Sequence, residues 1–201
     1  YRYKKWKSSE YLKKEEQLRK LASSGQSPLT MVISCCDSRI HATSIFGADE
    51  GEFFIHRNIA NLVPPYSPDG KNQGTSAAIE YAIKELKVQH LIILGHKDCG
   101  GIKYGYNMHS NKSNTNYEFI NKWLSILLPA YNKIKKDISE LKQINQLEKE
   151  SIKASINNLF SFPFIKKAVD ENNLSIHGFI HDIGSGNLKF LNPVTDDFEN
   201  F

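Results

Sequence analysis

Short apolar runs alternate with longer helical stripes along the 201 residues of the chain. Residues 31–35, 52–57 and 90–95 are short runs, and each is predicted to be a strand. Residues 10–23 and 74–86 carry apolar positions at helical spacing and are predicted to be helices. Strands separated by helices favour parallel pairing, so we expect an α/β fold with a mostly parallel central sheet flanked by helices.

The second half of the chain is predicted to be mostly helical and to end in a hairpin. The predicted elements, in order, are a polar loop at 107–116, helices at 117–136, 138–160 and 163–171, and strands at 175–183 and 187–191. The turn Gly184-Ser185-Gly186 joins the last two strands and indicates antiparallel pairing there.

The composition is that of a globular chain. Of its residues, 40% are hydrophobic and 24% are charged, so we expect a buried core and a single domain over 1–201. Within it, residues 1–24 are expected to form a charged N-terminal helical arm, and residues 25–201 the α/β core.

Charge and hydropathy argue against several classes of function. The net charge is +4, but acidic residues accompany most of the basic ones, which is typical of solvated helix faces and not of a nucleic-acid or membrane partner. The apolar run that begins at His90 is too short to cross a bilayer, and no secretory leader opens the chain. We therefore expect a cytoplasmic location, although the first residue is Tyr1 rather than Met and an upstream targeting segment could precede it.

Three residues with metal-binding side chains follow two of the predicted strands. His96 and Cys99 stand in a His-x-x-Cys spacing, which alone is more often a packed histidine and a buried cysteine. Cys35 ends another predicted strand, and ligand sites of parallel sheets gather beyond the carboxyl ends of strands. Thiolate and imidazole are ligands that zinc prefers, so these three residues are predicted to hold one zinc ion with a fourth position open, as in catalytic sites.

A carboxylate and a guanidinium stand close to the first cysteine. Asp37 can accept a hydrogen bond from water on zinc, while Arg39 keeps the carboxylate ionised and turned away from the metal. The structural alternative is a surface ion pair in a loop, which contributes little.

These motifs resemble the β-class carbonic anhydrases, most strongly over residues 24–105. The similar segments are Cys-x-Asp-Ser-Arg from Cys35, His-x-x-Cys-Gly-Gly from His96, residues 57–66 and 74–81, and the late His177-Gly178. The resemblance implies reversible hydration of carbon dioxide to bicarbonate and a proton, by attack of a hydroxide bound to one zinc per chain.

The resemblance also implies a substrate pocket and an assembly. Gln26 matches a position whose amide points into the pocket, and Phe54, Ile59 and Tyr81 match its apolar walls. The N-terminal arm is expected to embrace a second subunit, giving a homodimer or a dimer of dimers. Val32 stands where members with a regulatory bicarbonate site carry Trp, which favours the plant-like subtype with an open zinc site.

Other functions fit parts of the same pattern. A related zinc hydrolase that acts on carbon disulfide or carbonyl sulfide would use the same ligands. A thiol redox or sensing protein would use the adjacent Cys35 and Cys36 without zinc. A structural zinc module would leave Asp37 and Arg39 without a purpose.

Overall fold

A computed structural model describes residues 1–70, 73–113, 115 and 117–201 of the chain. Six strands form one sheet in the order β2-β1-β3-β4-β5-β6. The strands are β1 (Thr30–Cys35), β2 (Phe53–Asn58), β3 (His90–His96), β4 (Ser175–His181), β5 (Leu188–Asn192) and β6 (Asp197–Asn200). The first four pair in parallel and the last two add antiparallel strands, which confirms the predicted mostly parallel α/β sheet and its C-terminal hairpin.

Helices flank the sheet and precede it at the N-terminus. They are α1 (Arg2–Ser8), α2 (Glu10–Lys13), α3 (Glu15–Ser24), α4 (Ala42–Phe46), α5 (Gly74–Lys84), α6 (Gly100–His109), α7 (Ile120–Leu124), α8 (Leu128–Lys133), α9 (Glu140–Leu159) and α10 (Pro163–Asp170). Short 3-10 turns lie at Ile59–Asn61 and Ser125–Leu127. In the described part of the chain, no helix combines the length and the apolar character that crossing a bilayer requires.

The two faces of the sheet pack into separate hydrophobic clusters, because successive side chains of a strand point to opposite faces. On one face, Ile33 and Ile93 pack with Ile152 of α9. On the other, Val32 and Leu94 pack in a second cluster that α4 covers. A third cluster contains Cys35 at the end of β1 and is built from side chains of α6 to α9. This third cluster places the carboxyl ends of the strands inside the protein.

The N-terminal arm differs from the single helix predicted at 10–23. It consists of α1, α2 and α3, and none of the three contains a buried residue. The helices α2 and α3 are separated at Lys14, whose φ of -118° is not helical and whose Nζ contacts Asp49 and Glu50. The sequence prediction missed this break because Lys14 is a good helix former and its acidic partners are distant in sequence.

The helix predicted at 117–136 is interrupted. It consists of α7, a 3-10 turn and α8, and it ends where Ile134 takes extended backbone. Pro129 lies in the first turn of α8, where its missing N–H costs nothing, so the proline begins a new helix. The loop predicted at 107–116 begins later than expected because α6 continues to His109, and Asn114 and Asn116 of that prediction lie outside the described residues.

We predict that Gly178→Ala destabilises the protein by about 1–3 kcal/mol, the usual cost of overpacking a core. A Cβ at Gly178 would lie 2.9 Å from Ile152 Cγ2, 3.1 Å from Ile156 Cδ1 and 3.2 Å from Leu191 Cβ, so the helix α9 and the strand β5 would have to shift. The free energy of unfolding is measured in urea at one fixed protein concentration.

Gly74→Ala is the matched control for this prediction. Among the described residues, no heavy atom lies within 4 Å of a Cβ at this position, so the unfolding free energy should change little. Equal stability of the two variants would contradict the packing described for β4.

Candidate metal centre

Two thiols and an imidazole meet at the carboxyl edge of the sheet. The ligand atoms of Cys35, His96 and Cys99 all lie within 4.8 Å of one another, and all three residues are buried. The two sulfur atoms are 3.9 Å apart. The three residues predicted as zinc ligands are therefore brought together as a cluster that could hold a metal ion.

The local backbone explains why these side chains converge. Cys35 is the last residue of β1 and His96 the last of β3, and the two strands are neighbours in the sheet. Asp98 adopts a left-handed conformation with φ of 55°, which an Asp tolerates better than most residues. This turn reverses the chain so that Cys99, the N-cap of α6, returns toward His96.

Of the two imidazole nitrogens of His96, one is hydrogen-bonded to the backbone and the other has no hydrogen-bond partner among the described residues. Its Nδ1 lies 2.9 Å from the carbonyl oxygen of Lys97, to which it donates a hydrogen bond. In the neutral ring with its proton on Nδ1, the lone pair lies on Nε2, which is buried without a hydrogen-bond partner in the described part of the chain. A neutral imidazole oriented by a backbone carbonyl is the usual form of a metal-binding histidine.

The two thiols share one negative charge in the absence of a cation. The hydrogen bond between the sulfur atoms lowers the pKa of Cys35 to about 4 and raises the pKa of Cys99. At tetrahedral zinc, with Zn–S bonds of about 2.3 Å, two thiolates are separated by about 3.8 Å, close to the distance between these sulfurs. The donor set and its spacing therefore fit a zinc ion.

The carboxylate of Asp37 is clamped by Arg39 beside this cluster. Arg39 donates from Nε to Oδ1 at 2.9 Å and from Nη2 to Oδ2 at 2.7 Å, a bidentate pair. The hydrogen bonds from Arg39 hold the pKa of Asp37 well below its usual range. Oδ2 of Asp37 also lies 3.8 Å from Nε2 of His96, so the predicted pair of residues does border the cluster.

Arg57 ties down the loop that carries Asp37, a contact that the sequence reasoning did not identify. Its guanidinium donates to the carbonyl oxygens of Cys35 at 3.0 Å, Asp37 at 2.7 Å and Ile40 at 2.9 Å. Three carbonyl groups bound by one side chain fix the backbone of the loop. The resemblance included Arg57 only as part of a similar segment, and no local pattern indicates these contacts.

Glu148 is a second neighbour that the sequence reasoning missed. It lies in α9 with 2% exposure, and its Oε1 accepts a hydrogen bond from the backbone N–H of Cys99 at 3.0 Å. Its Oε2 is buried without a hydrogen-bond partner among the described residues. Burial raises the pKa of Glu148 to about 7. A signal was present, because Glu148 stands in the buried stripe of α9 between Leu147 and Ser151.

The predicted pocket residues are only partly brought together within one chain. The rings of Phe54 and Tyr81 contact each other with centroids 5.8 Å apart. Ile59 lies close to the metal cluster, since a Cβ on Gly101 would be 2.8 Å from its Cγ2. Gln26 is exposed in the segment before β1.

A largely apolar groove of 780 Å³ adjoins Ile59 and Cys36. It is also bordered by aromatic side chains that follow α6, among them Phe119 and Trp123. Among the described residues, its walls include Ile59 but not the other three predicted pocket residues. The groove therefore lies on the Ile59 side of the cluster, although none of the three clustered residues lines it.

A buried Cys-His-Cys set at the carboxyl edge of a parallel sheet defines an α/β protein with a candidate metal centre. The family model described as carbonic anhydrase matches residues 30–188. The chain is 40% identical over 184 residues to beta carbonic anhydrase 3 of Arabidopsis thaliana, a match that covers 90% of this chain and 70% of that protein. The chain therefore belongs to the β-carbonic anhydrase family, whose members are carbonate dehydratases.

Solved structures agree with this membership. The β-carbonic anhydrase CcaA is 27% identical, with a TM-score of 0.86 over 99% of this chain and 88% of that chain. A tetrameric β-carbonic anhydrase of Sordaria macrospora is 32% identical, with a TM-score of 0.80 over 94% of this chain and 93% of that chain. The fold around the metal cluster is thus that of known family members.

We predict that Glu148→Gln flattens the pH dependence of stability in the metal-free protein. The pKa of Glu148 is about 7 in the folded state and 4.5 in the unfolded state. The stability that the protonated carboxyl contributes is therefore fully present below about pH 4.5 and is lost as the pH rises through 7, because the unfolded chain ionises first. At about 1.4 kcal/mol per pKa unit, the wild type should lose roughly 3 kcal/mol from this group across that window. Unfolding in urea at several pH values, after metal removal by a chelator, measures the difference.

The exposed Glu118 provides the control for this prediction. Glu118→Gln removes a carboxylate from the surface and should leave the pH profile of the wild type unchanged. If the profile of Glu148→Gln also follows the wild type, the burial of the Glu148 carboxyl does not govern the pH dependence.

Proposed function

We propose that this chain catalyses the zinc-dependent reversible hydration of carbon dioxide to bicarbonate and a proton. The observation that carries the proposal is the buried cluster of Cys35, His96 and Cys99 beside a carboxylate held by Arg39, in a chain of this family. The thiol redox alternative receives no support from the geometry, because the cysteine that contacts Cys35 is Cys99 and not the exposed Cys36.

In this proposal, Cys35, His96 and Cys99 hold one zinc ion per chain. When bound, zinc acts as a Lewis acid that makes hydroxide available near neutral pH. The hydrogen bond from Nδ1 of His96 to the Lys97 carbonyl keeps the imidazole oriented toward the ion. The N–H groups of Gly101 and Ile102, at the start of α6, face the Cys99 sulfur and favour its thiolate form.

Asp37 positions the attacking water. Its ionised carboxylate accepts a hydrogen bond from that water and directs a lone pair of the oxygen toward the substrate carbon. Arg39 engages both carboxylate oxygens, which keeps Asp37 from serving as a metal ligand itself. This pairing and the presence of Val32, in place of the Trp of members with a bicarbonate site, support the open-site subtype.

The substrate is small and apolar, so it needs a small apolar pocket with few polar groups. We assign the walls of this pocket to Phe54, Ile59 and Tyr81, with the Gln26 amide as the polar group. In the isolated chain Ile59 is 38% exposed and Tyr81 is 47% exposed, which leaves these walls open on one side. A second copy of the chain would close them.

We propose that the chain assembles as a homodimer or as a dimer of dimers. The relative from Sordaria macrospora is tetrameric. The arm of this chain carries three exposed aromatic residues, Tyr1, Tyr3 and Trp6, and its first helix contains no buried residue. The arm (residues 1–24) and the core (residues 25–201) form one domain in this proposal. The metal-binding thiols must stay reduced, so a cytoplasmic location suits the site.

We predict that Asp37→Asn lowers the rate of carbon dioxide hydration by about 100-fold or more while the protein keeps its zinc. The size is that of a positioned group that handles a proton in the transition state. Stopped-flow hydration assays with zinc content measured on the same samples provide the test. Full activity in a zinc-loaded Asp37→Asn enzyme would remove the proposed role of the carboxylate.

The two adjacent cysteines supply a matched pair of controls. Cys35→Ser should lose zinc and activity together, whereas Cys36→Ser, which alters an exposed thiol, should keep about one zinc per chain. Zinc loss in Cys36→Ser with retention in Cys35→Ser would overturn the ligand assignment. Turnover of carbon disulfide, measured in parallel, should be far slower than turnover of carbon dioxide.

We predict that the wild type sediments as a dimer or tetramer. Trp6→Ala should weaken the assembly by about tenfold or more, because replacing an aromatic residue at the centre of an interface by Ala often costs about 2 kcal/mol of binding free energy or more. Trp6 is 45% exposed within one chain. Tyr117→Ala, at an aromatic residue that is 56% exposed outside the arm, is the control. Analytical ultracentrifugation over a range of concentrations measures both, and a monomeric wild type would contradict the prediction.

A further inference from the structure

A pair of histidines lies at the amino end of the sheet, away from the metal centre. His90 is the first residue of β3 and His177 the third residue of β4. Nδ1 of His90 and Nε2 of His177 are 3.3 Å apart, and the two ring centroids are 5.4 Å apart. The proposed hydration mechanism uses neither residue, although His177-Gly178 is one of the motifs in the sequence.

The register of the sheet holds the two imidazoles together. His90 pairs with Ser175 and Ile92 pairs with His177, so the two histidines are diagonal neighbours on adjacent parallel strands. Alternation along each strand places both side chains on the same face. His90 is six positions before His96, and His177 lies opposite Ile92, four positions before His96. At about 3.3 Å per residue, the two histidines are roughly 20 Å and 13 Å from the metal centre.

The nitrogen atoms have the spacing of two ligands on one metal ion. With metal–nitrogen bonds of about 2.0–2.1 Å, two imidazoles on one ion are separated by about 2.9 Å at a right angle and about 3.4 Å at a tetrahedral angle. The observed 3.3 Å lies inside this range. Burial and the neighbouring His90 lower the pKa of His177, which keeps its imidazole neutral. Without an ion, the same spacing fits a hydrogen bond between the two nitrogen atoms, which a bound ion would replace.

We propose that His90 and His177 form a second binding site, for a divalent transition-metal ion such as Ni²⁺, Cu²⁺ or Zn²⁺. Imidazole nitrogen is a ligand that these ions share, and water completes the coordination sphere. Because the two ligands come from strands that are already paired, little conformational freedom is lost when the ion binds. The bound ion connects β3 to β4 at the end of the sheet opposite to the metal centre.

The test uses the full-length zinc-loaded protein and Ni²⁺ as the probe. Isothermal titration calorimetry of the wild type should show one Ni²⁺ bound per chain, with the zinc content unchanged after the titration. His90→Gln and His177→Gln should each weaken Ni²⁺ binding by about tenfold or more, since each removes one of two ligands. His41→Gln, at an exposed histidine before α4, should bind Ni²⁺ as the wild type does.

Two results would overturn the proposal. One is equal Ni²⁺ affinity of the wild type, His90→Gln and His177→Gln. The other is uptake of Ni²⁺ matched by release of zinc, which would place the ion at the metal centre. His90 is exposed, so its variant should fold, and unchanged carbon dioxide hydration by His90→Gln verifies that it has done so.

Discussion

The parallel pairing of β1 with β3 is the constraint on which the candidate metal centre depends. The two strands are in register from Thr30 opposite His90 to Ser34 opposite Leu94, so they finish at the same edge of the sheet. Cys35 and His96 therefore stand at neighbouring strand ends. A shift of one residue in either strand would turn its side chains to the other face. The burial of apolar side chains along these strands thus fixes the distance between a sulfur and an imidazole.

Several acidic groups lie at this edge, and three of them have a compensating contact. Asp37 is paired with Arg39, Glu148 accepts the N–H of Cys99, and the Cys99 sulfur lies at the start of a helix. Burying an anion without a partner destabilises a folded protein by several kcal/mol. The two sulfur atoms share one negative charge in the free chain, and a divalent cation between them would allow both thiols to ionise.

The spacing of apolar residues along the chain predicted most of the strands and the longest helix. The first five strands and α9 agree with prediction to within one or two residues, because continuous apolar runs and a long amphipathic stripe determine them, whereas β6 was not predicted. The interruption at Pro129 was missed, since a proline that begins a helix looks the same in sequence as one inside a helical stripe. The helix α4 is too short to show a periodic pattern. The cluster of Cys35, His96 and Cys99 was predicted because strand ends converge. The contacts of Arg57 and Glu148 depend on packing between distant segments and were not predicted.

The strand order has a consequence for handling the protein. The strand β2 lies at one edge of the sheet, and its outer side carries backbone N–H and C=O groups that no other strand of the described chain pairs. Ile55, in the middle of β2, is 38% exposed. An uncovered edge with an apolar side chain is a template for strand addition between molecules. Exposure of this edge in the single chain therefore favours aggregation, even where the core is intact.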